Sequence, residues 1–364
     1  MSNMMNFSAG PGALPIEVLL EASKAVEALP ETGVSVLGMS HRSAWFRDVL
    51  DEAENNLRKL LDIPDNYYVI FMQGGSSLQF SMLPMNFLRG TGRHAEYIVS
   101  GYWSAKALTE AQIEGETHVV WDGKDTGYTR LPVLNDLHLS PDAAYLHYVS
   151  NETVEGLQFP WVPGLKDVPL VCDMSSDLLA SPVAIDKYAF IYAHAQKNLG
   201  TSGVTVCILR DEFVKQAKRT TLHSMLDYHS HIEARSVFNT PPVFSIYVLM
   251  LVTRWVRDQI GGVAAMGAIN RKKADLIYGA LDTAAGFYRV HGQRPFRSTM
   301  NIVFSLPNPT LGNLFLEESQ REGFHGLEGH RSIGGLRVSL YNAVSLDAAE
   351  ALSMLLIEFL RHHG

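Results

Sequence analysis

The period of the hydrophobic pattern changes along the chain. Near the N-terminus, apolar positions recur every three or four residues in "IEVLLEASKAVEAL" (16–29) and "WFRDVLDEAENNLRKLLDI" (45–63), which predicts two amphipathic helices. Short runs rich in β-branched and aromatic residues follow: "YYVIFMQ", "EYIVS", "THVVW", "AYLHYVS", "PLVCD", "FIYAHA" and "VTVCIL". Helical or loop stretches separate them, and this alternation predicts an α/β sheet, largely parallel and covered on both faces. A further helix is predicted over "VFSIYVLMLVTRWVRDQ", with Thr240 as N-cap, Pro241 at the first helical position and Gly261-Gly262 as the stop. Beyond it, helices mix with strand-like "NIVFSL" and "LRVSLY", the pattern of a smaller α+β unit. The expected division is an extended Gly- and Pro-rich arm over 1–15, a large domain over 16–260 and a small domain over 261–364.

Composition narrows the class. With 364 residues, 46% of them hydrophobic, the chain can bury a large core and make more than one domain. A net charge of −8 selects neither nucleic acid nor an anionic membrane, although a local arginine cluster can still take a small anion. The two cysteines, Cys172 and Cys207, lie in strand-like runs and no C-x-x-C occurs, which argues against a disulfide framework or a zinc ribbon. The start, "MSNMMNFSAGPGALP", lacks a basic segment followed by an apolar one, and the longest apolar run, Ile246 to Val252, is far short of a membrane span. A soluble, cytoplasmic protein is expected.

Candidate chemistry gathers where the predicted strands end, the edge of an open α/β sheet that binds ligands. "YYVIFMQ" leads to Gly74-Gly75-Ser76-Ser77 before a helix, "EYIVS" to Gly101-Tyr102-Trp103, "AYLHYVS" to Asn151-Glu152-Thr153, "PLVC" to Asp173 and "FIYAHA" to Gln196-Lys197. Singly, these read as a turn, a core aromatic, a cap and a surface cation. Together they supply a phosphate cradle, an aromatic platform, a carboxylate and an amine at one edge. That set answers to pyridoxal 5'-phosphate, which needs a Schiff-base lysine, an acid for its pyridinium nitrogen, a ring stacker and a helix start for its phosphate.

The strings "NFSAGPGALP", "GMSHRSAWF", "QFSMLPMN", "SNETVEG", "AHAQKNLG", "FNTPP" and "HRSIGGLRVSLYNA" carry a resemblance that runs essentially end to end. In their order the chain resembles the phosphoserine aminotransferase family, within the class V aminotransferases. The resemblance implies PLP fold-type I: a large domain with a mostly parallel mixed sheet flanked by helices, plus a smaller C-terminal α+β domain. It implies reversible amino transfer between L-glutamate and 3-phosphohydroxypyruvate, by a homodimer with shared active sites. Residue by residue, it implies that Lys197 bonds the cofactor and moves the proton, Asp173 pairs with the ring nitrogen and Trp103 stacks. Thr153 would bond the phenolic oxygen, while Ser76, Ser77 and Gln196 would hold the phosphate with Asn239 and Thr240 of the second subunit. For substrate it implies Arg337 at the α-carboxylate, and His330 and Arg331 at the phosphate end, joined by His41 and Arg42 of the other subunit. "GGSSLQF" departs from members with Arg or Thr there, which leaves Ser77 with its hydroxyl and backbone N–H. Some bacterial members also act on the phosphorylated precursor of pyridoxine, and the motifs leave that activity open.

Other readings remain in play. An aminotransferase for unphosphorylated keto acids would not need the two His-Arg pairs, and a cysteine desulfurase needs a thiol on a mobile loop. A non-catalytic cofactor binder would not respond to glutamate. His223, His229 and His231 invite a metal, but no carboxylate or cysteine spacing accompanies them, and a surface loop near the active site is expected instead.

Overall fold

The computed structural model describes residues 5–164, 168–217, 222–284 and 286–364. Helices α1 (Ile16–Glu27) and α2 (Ala44–Leu61) come first, at the predicted places. Ser43 Oγ accepts the Phe46 N–H at 3.1 Å and so starts α2. Its inward positions Phe46, Val49, Leu50, Ala53, Leu57, Leu60 and Leu61 follow the helical period.

The chain then builds β1 (Tyr67–Met72), α3 (Gly75–Phe87), β2 (Ala95–Val99), α4 (Tyr102–Glu114), β3 (Thr117–Asp122) and β4 (Leu146–Val149). A short hairpin of β5 (Asn151–Glu152) and β6 (Leu157–Gln158) leads to β7 (Leu170–Asp173), β8 (Phe190–His194) and β9 (Thr205–Arg210). A seven-stranded sheet results, in the order β1-β9-β8-β7-β4-β2-β3. β9 runs antiparallel to both its neighbours and the remaining pairs are parallel, so the ends of β1, β2, β4, β7 and β8 share one edge. On one face, α1, α2 and the nearly all-apolar α7 (Val243–Trp255) close a core around Ile191, Ile208 and Leu249. On the other face, α3, α4 and α6 (Tyr228–Glu233) cover Ile70, Tyr97 and Tyr192, while α5 (Asp211–Val214) follows β9.

After α8 (Val263–Asp282) come β10 (Arg289–Val290), β11 (Asn301–Ser305), α9 (Pro309–Arg321), β12 (Leu336–Ser339) and α10 (Leu346–His363). β10-β11-β12 form an antiparallel sheet with its own core, which also takes in Phe7 and Ala13 from the N-terminal segment. Lys273 of α8 is fully buried there and donates to the carbonyls of Leu340, Tyr341 and Val344 at 3.0, 2.9 and 3.0 Å.

Two expectations are corrected. Thr240 does not cap α7, which begins at Val243 with Pro242 at the N-cap. Pro242 disfavours a helical conformation at Pro241, and neither proline offers an N–H to a cap. The histidine-rich segment is not a plain loop: His229 and His231 ride on α6, whose start Asp227 caps at the His229 N–H. His231 is buried with Nε2 3.0 Å from the Met225 carbonyl, and no group of three metal-binding side chains occurs among the described residues.

Candidate active site

The shared strand edge opens into a cavity of about 380 Å³, lined by Gly74–Ser77, Trp103, Asn151, Asp173, Gln196 and Lys197 among others. Asp173 ends β7 and is 5% exposed, and its Oδ1 accepts the Ser175 N–H at 2.8 Å. Burial pushes its carboxyl upward, while Ser175 and the Lys197 charge pull it back. Lys197 follows β8, half-buried, with an amine that burial brings down to about 8 against the opposing pull of Asp173. A lysine so placed supplies free base near neutral pH, which an ordinary surface lysine does not.

Trp103 stands in the first turn of α4, and its ring centroid lies 5.7 Å from Lys197 Nζ. Its indole N–H donates to Thr153 Oγ1 at 3.0 Å, and its backbone N–H to Glu152 Oε2 at 3.0 Å. Glu152, fully buried, also accepts from Ser104 N and Oγ at 2.9 and 2.6 Å. Glu155 accepts the Tyr102 N–H at 2.9 Å. Burial and the Glu152 charge drive the Glu155 carboxyl up to about 9, and its Oε2 is buried without a partner. Two carboxyl groups therefore cap one helix start and fix the aromatic platform.

At α3, Gly74 (φ 90°) and Gly75 (φ 67°) turn the chain into a helix whose start lines the cavity, where its first N–H groups have no acceptor within the helix. A Cβ on Gly74 would lie 2.7 Å from the Cβ of Leu78. Ser76 Oγ lies 2.6 Å from Ser175 Oγ, and Ser77 is exposed at the rim. An amine, a buried acid, an aromatic face and an anion-seeking helix start fit pyridoxal phosphate.

Residues 4–352 match the family model of class-V aminotransferases. The chain is 48% identical over 361 residues to phosphoserine aminotransferase of Geobacillus kaustophilus, with 99% of each chain covered. It belongs to the phosphoserine aminotransferase family. The solved phosphoserine aminotransferase of Bacillus circulans subsp. alkalophilus superposes at a TM-score of 0.95 with 46% identity, covering 98% of both chains. The PLP-bound enzyme of Trichomonas vaginalis superposes at 0.90 with 33% identity, covering 97% of this chain and 99% of that one.

The outer part of the site is cationic. Arg337 of β12 is partly buried and donates from Nη1 to the Thr153 carbonyl at 3.0 Å, while its Nε is buried and unpaired. His330 packs on the Tyr102 ring at 4.9 Å, and its imidazole is lowered by burial, then by Arg337, Arg331 and Lys106. Thus Arg337, His330 and Arg331 converge, as the sequence leads one to expect. His41 and Arg42 do not join them within the chain. They line a separate cavity of about 640 Å³ with Arg47, Arg58 and Arg235. Asn239 and Thr240 lie beside β1, where Asn239 Nδ2 donates to Gln73 Oε1 at 2.9 Å and the Thr240 carbonyl accepts from Gln73 at 2.8 Å.

Sequence reasoning missed several neighbours. Ser175, Ser176, His194 and Gly203 line the cavity, and Lys106 stands 5.1 Å from the Tyr102 ring. Ser175 and Ser176 carried a usable signal, because they follow a strand tip already singled out. Nothing in the spacing of Glu152 and Glu155 marks them as buried.

Proposed function

We infer that this chain is a PLP-dependent transaminase that moves an amino group reversibly between L-glutamate and 3-phosphohydroxypyruvate, giving 2-oxoglutarate and O-phospho-L-serine in serine biosynthesis. The observation that carries the reading is the meeting of Lys197, Asp173 and Trp103 at one sheet edge, beside the cationic group of Arg337, His330 and Arg331.

When bound, the cofactor supplies an aldehyde carbon for the amine and a protonated ring that takes up electron density as the substrate Cα–H bond breaks. Lys197 would hold the aldehyde carbon at rest and, as a free amine, would move the proton between the substrate Cα and that carbon. Its amine near 8 suits both tasks at neutral pH. Asp173 keeps a proton on the ring nitrogen through its negative charge. Trp103 fixes the ring plane, and Thr153, tied to the Trp103 indole, keeps its hydroxyl hydrogen for the phenolic oxygen. The N–H groups of Gly75 to Ser77, with Ser76 and Gln196, take the cofactor phosphate, joined by Asn239 and Thr240 of a second subunit. Arg337 orients the α-carboxylate. His330 and Arg331, with His41 and Arg42 of the second subunit, take the substrate phosphate. On this reading the substrate lies between a cofactor domain over 16–260 and a small domain over 261–364, and the enzyme works as a cytoplasmic homodimer.

The test compares 3-phosphohydroxypyruvate with hydroxypyruvate as acceptors from glutamate. A kcat/KM preference of about a hundredfold or more for the phosphorylated acid is expected, since charge-assisted bonds are worth roughly 1.5–3 kcal/mol each. Equal efficiencies would refute the reading.

A further inference from the structure

We propose that His194 is a further ligand of the cofactor phosphate, donating a hydrogen bond from Nδ1 into the cradle at the start of α3. The proposal rests on the cofactor reading above.

His194 ends β8 and lines the same cavity as Gly75, Ser76, Ser77, Ser175 and Gln196. Its backbone is fixed on both sides: the N–H donates to Ser175 Oγ at 3.1 Å, and the residue pairs with Thr205 across the ladder. The ring is oriented too. The Gly203 N–H points at Nε2 from 3.4 Å, so Nε2 accepts and the neutral ring carries its hydrogen on Nδ1. Burial, and then the Lys197 charge, favour that neutral form. Nδ1 has no protein acceptor among the described residues, and it lies 3.7 Å from where a Cβ on Gly75 would sit. An N–H donor thus stands unused beside the first N–H groups of a helix.

The rest of the cradle is ordered toward the same point. Ser175 Oγ accepts from His194 N and lies 2.6 Å from Ser76 Oγ, a pair in which either hydroxyl can donate. With Ser175 as the donor, Ser76 Oγ keeps its hydrogen for a ligand. Apart from Lys197, whose nitrogen is committed to the aldehyde carbon, no lysine or arginine among the described residues lines this cavity. A phosphate has three acceptor oxygens to satisfy, and the His194 Nδ1–H adds a donor to those of Ser76, Gln196 and the start of α3.

The experiment measures equilibrium binding of pyridoxal phosphate, pyridoxal and inorganic phosphate to the apo-protein, in wild type, His194→Ala and His194→Asn. Alanine is expected to weaken pyridoxal phosphate and inorganic phosphate by about ten- to a hundredfold, the size of one bond to a charged group, and to leave pyridoxal unchanged. Asparagine, whose Nδ2 sits where the imidazole Nδ1 does, is expected to restore both to within about threefold. Should the alanine variant not fold, His194→Leu fills the volume without an N–H and takes its place. Equal weakening of pyridoxal and pyridoxal phosphate would mean that the ring only packs, and overturns the proposal. Unchanged binding in the alanine variant overturns it as well. A wild-type protein that binds pyridoxal phosphate no tighter than pyridoxal would instead overturn the underlying phosphate-site reading.

Discussion

Replacing Glu155 by glutamine is expected to remove a pH-dependent weakness in the fold. Glu155 shares the start of α4 with Glu152, and a Cβ on Gly101 between them would lie only 2.9 Å from Glu152 Cδ. Glu152 meets four donors, from Trp103, Ser104 and Ser100, and is suited to carry the charge. Glu155 has one donor, at 2.9 Å, and a buried oxygen without a partner, so the proton stays on it. Its carboxyl moves from the ordinary 4.5 to about 9. Between those values the folded state keeps a proton that the unfolded chain has released. Stability therefore falls as pH rises through this window, by at most about 1.4 kcal/mol per unit. Glutamine keeps the acceptor for Tyr102 and cannot ionise. From about pH 6 to about pH 8.5 wild type should lose roughly 3 kcal/mol more than Glu155→Gln. Below about pH 4.5 the two should agree within about 1 kcal/mol, since a neutral acid and an amide are close in shape, and by pH 6 wild type should already trail by about 2 kcal/mol. Urea denaturation of the apo-protein across this range, at one protein concentration, reads the difference directly. Parallel stability curves, or a glutamine variant that falls faster with pH, would refute the assignment of the proton to Glu155.

Lys197→Ala should abolish amino transfer, and borohydride should then fix no pyridoxal phosphate to the chain; a reducible adduct in the variant would assign the amine elsewhere. Asp173→Asn should retain cofactor and lose activity mainly in kcat, by about a hundredfold or more, because a neutral ring nitrogen accepts electron density poorly; an unchanged kcat would make Asp173 a cap. Mixing Arg42→Ala with Lys197→Ala protein should regain activity through heterodimers, one of whose sites has both residues intact; no regain, with heterodimers demonstrated, would place Arg42 in its own chain's site. Lys273→Met should cost about 3–5 kcal/mol in urea unfolding, since three buried carbonyls lose their donor. A loss below about 1 kcal/mol would mean that those carbonyls find other partners.

The sheet was legible because each buried strand reads as a short apolar run, and the site because those runs stop at residues with chemistry. Asp173, Lys197 and Trp103 needed only the rule that parallel strands present their carboxyl ends together. What stayed hidden depends on burial and on residues far apart in sequence. Glu155 looks like a surface acid until α4 and β12 are placed around it. His194 reads as one more residue of a strand, because its role depends on Gly75 and Gly203 lying beside it. Thr240 had the side chain of a cap, but the Pro241-Pro242 backbone overrode it. His41 and Arg42 line a different cavity from Lys197, and nothing in their spacing, only the resemblance, sets them beside His330 of another subunit.

The placement of Arg337 relative to Lys197 raises a further question, because the two stand on different sheets. Amides join those sheets. Asn198, next to Lys197, accepts the Asn342 N–H at 3.0 Å and donates to the Ser176 carbonyl at 2.9 Å. Asn342 donates to the Leu179 carbonyl at 3.1 Å and accepts from Asn270, which also holds the Ala180 carbonyl at 2.9 Å. On the other side, Asn151 donates to Asn301 of β11 at 2.8 Å, and Asn301 to Ser339 at the end of β12 at 2.9 Å. Apolar contacts alone would let the sheets slide by fractions of an ångström at little cost, since they have no direction. A buried amide does not permit this: a small shift strands a donor or acceptor, at about 1–3 kcal/mol each. Arg337 and the Lys197 amine are thereby held in one register, which is what orientation-dependent catalysis needs. Lys273 completes the device, because its three carbonyl bonds fix the turn from which Asn342 projects.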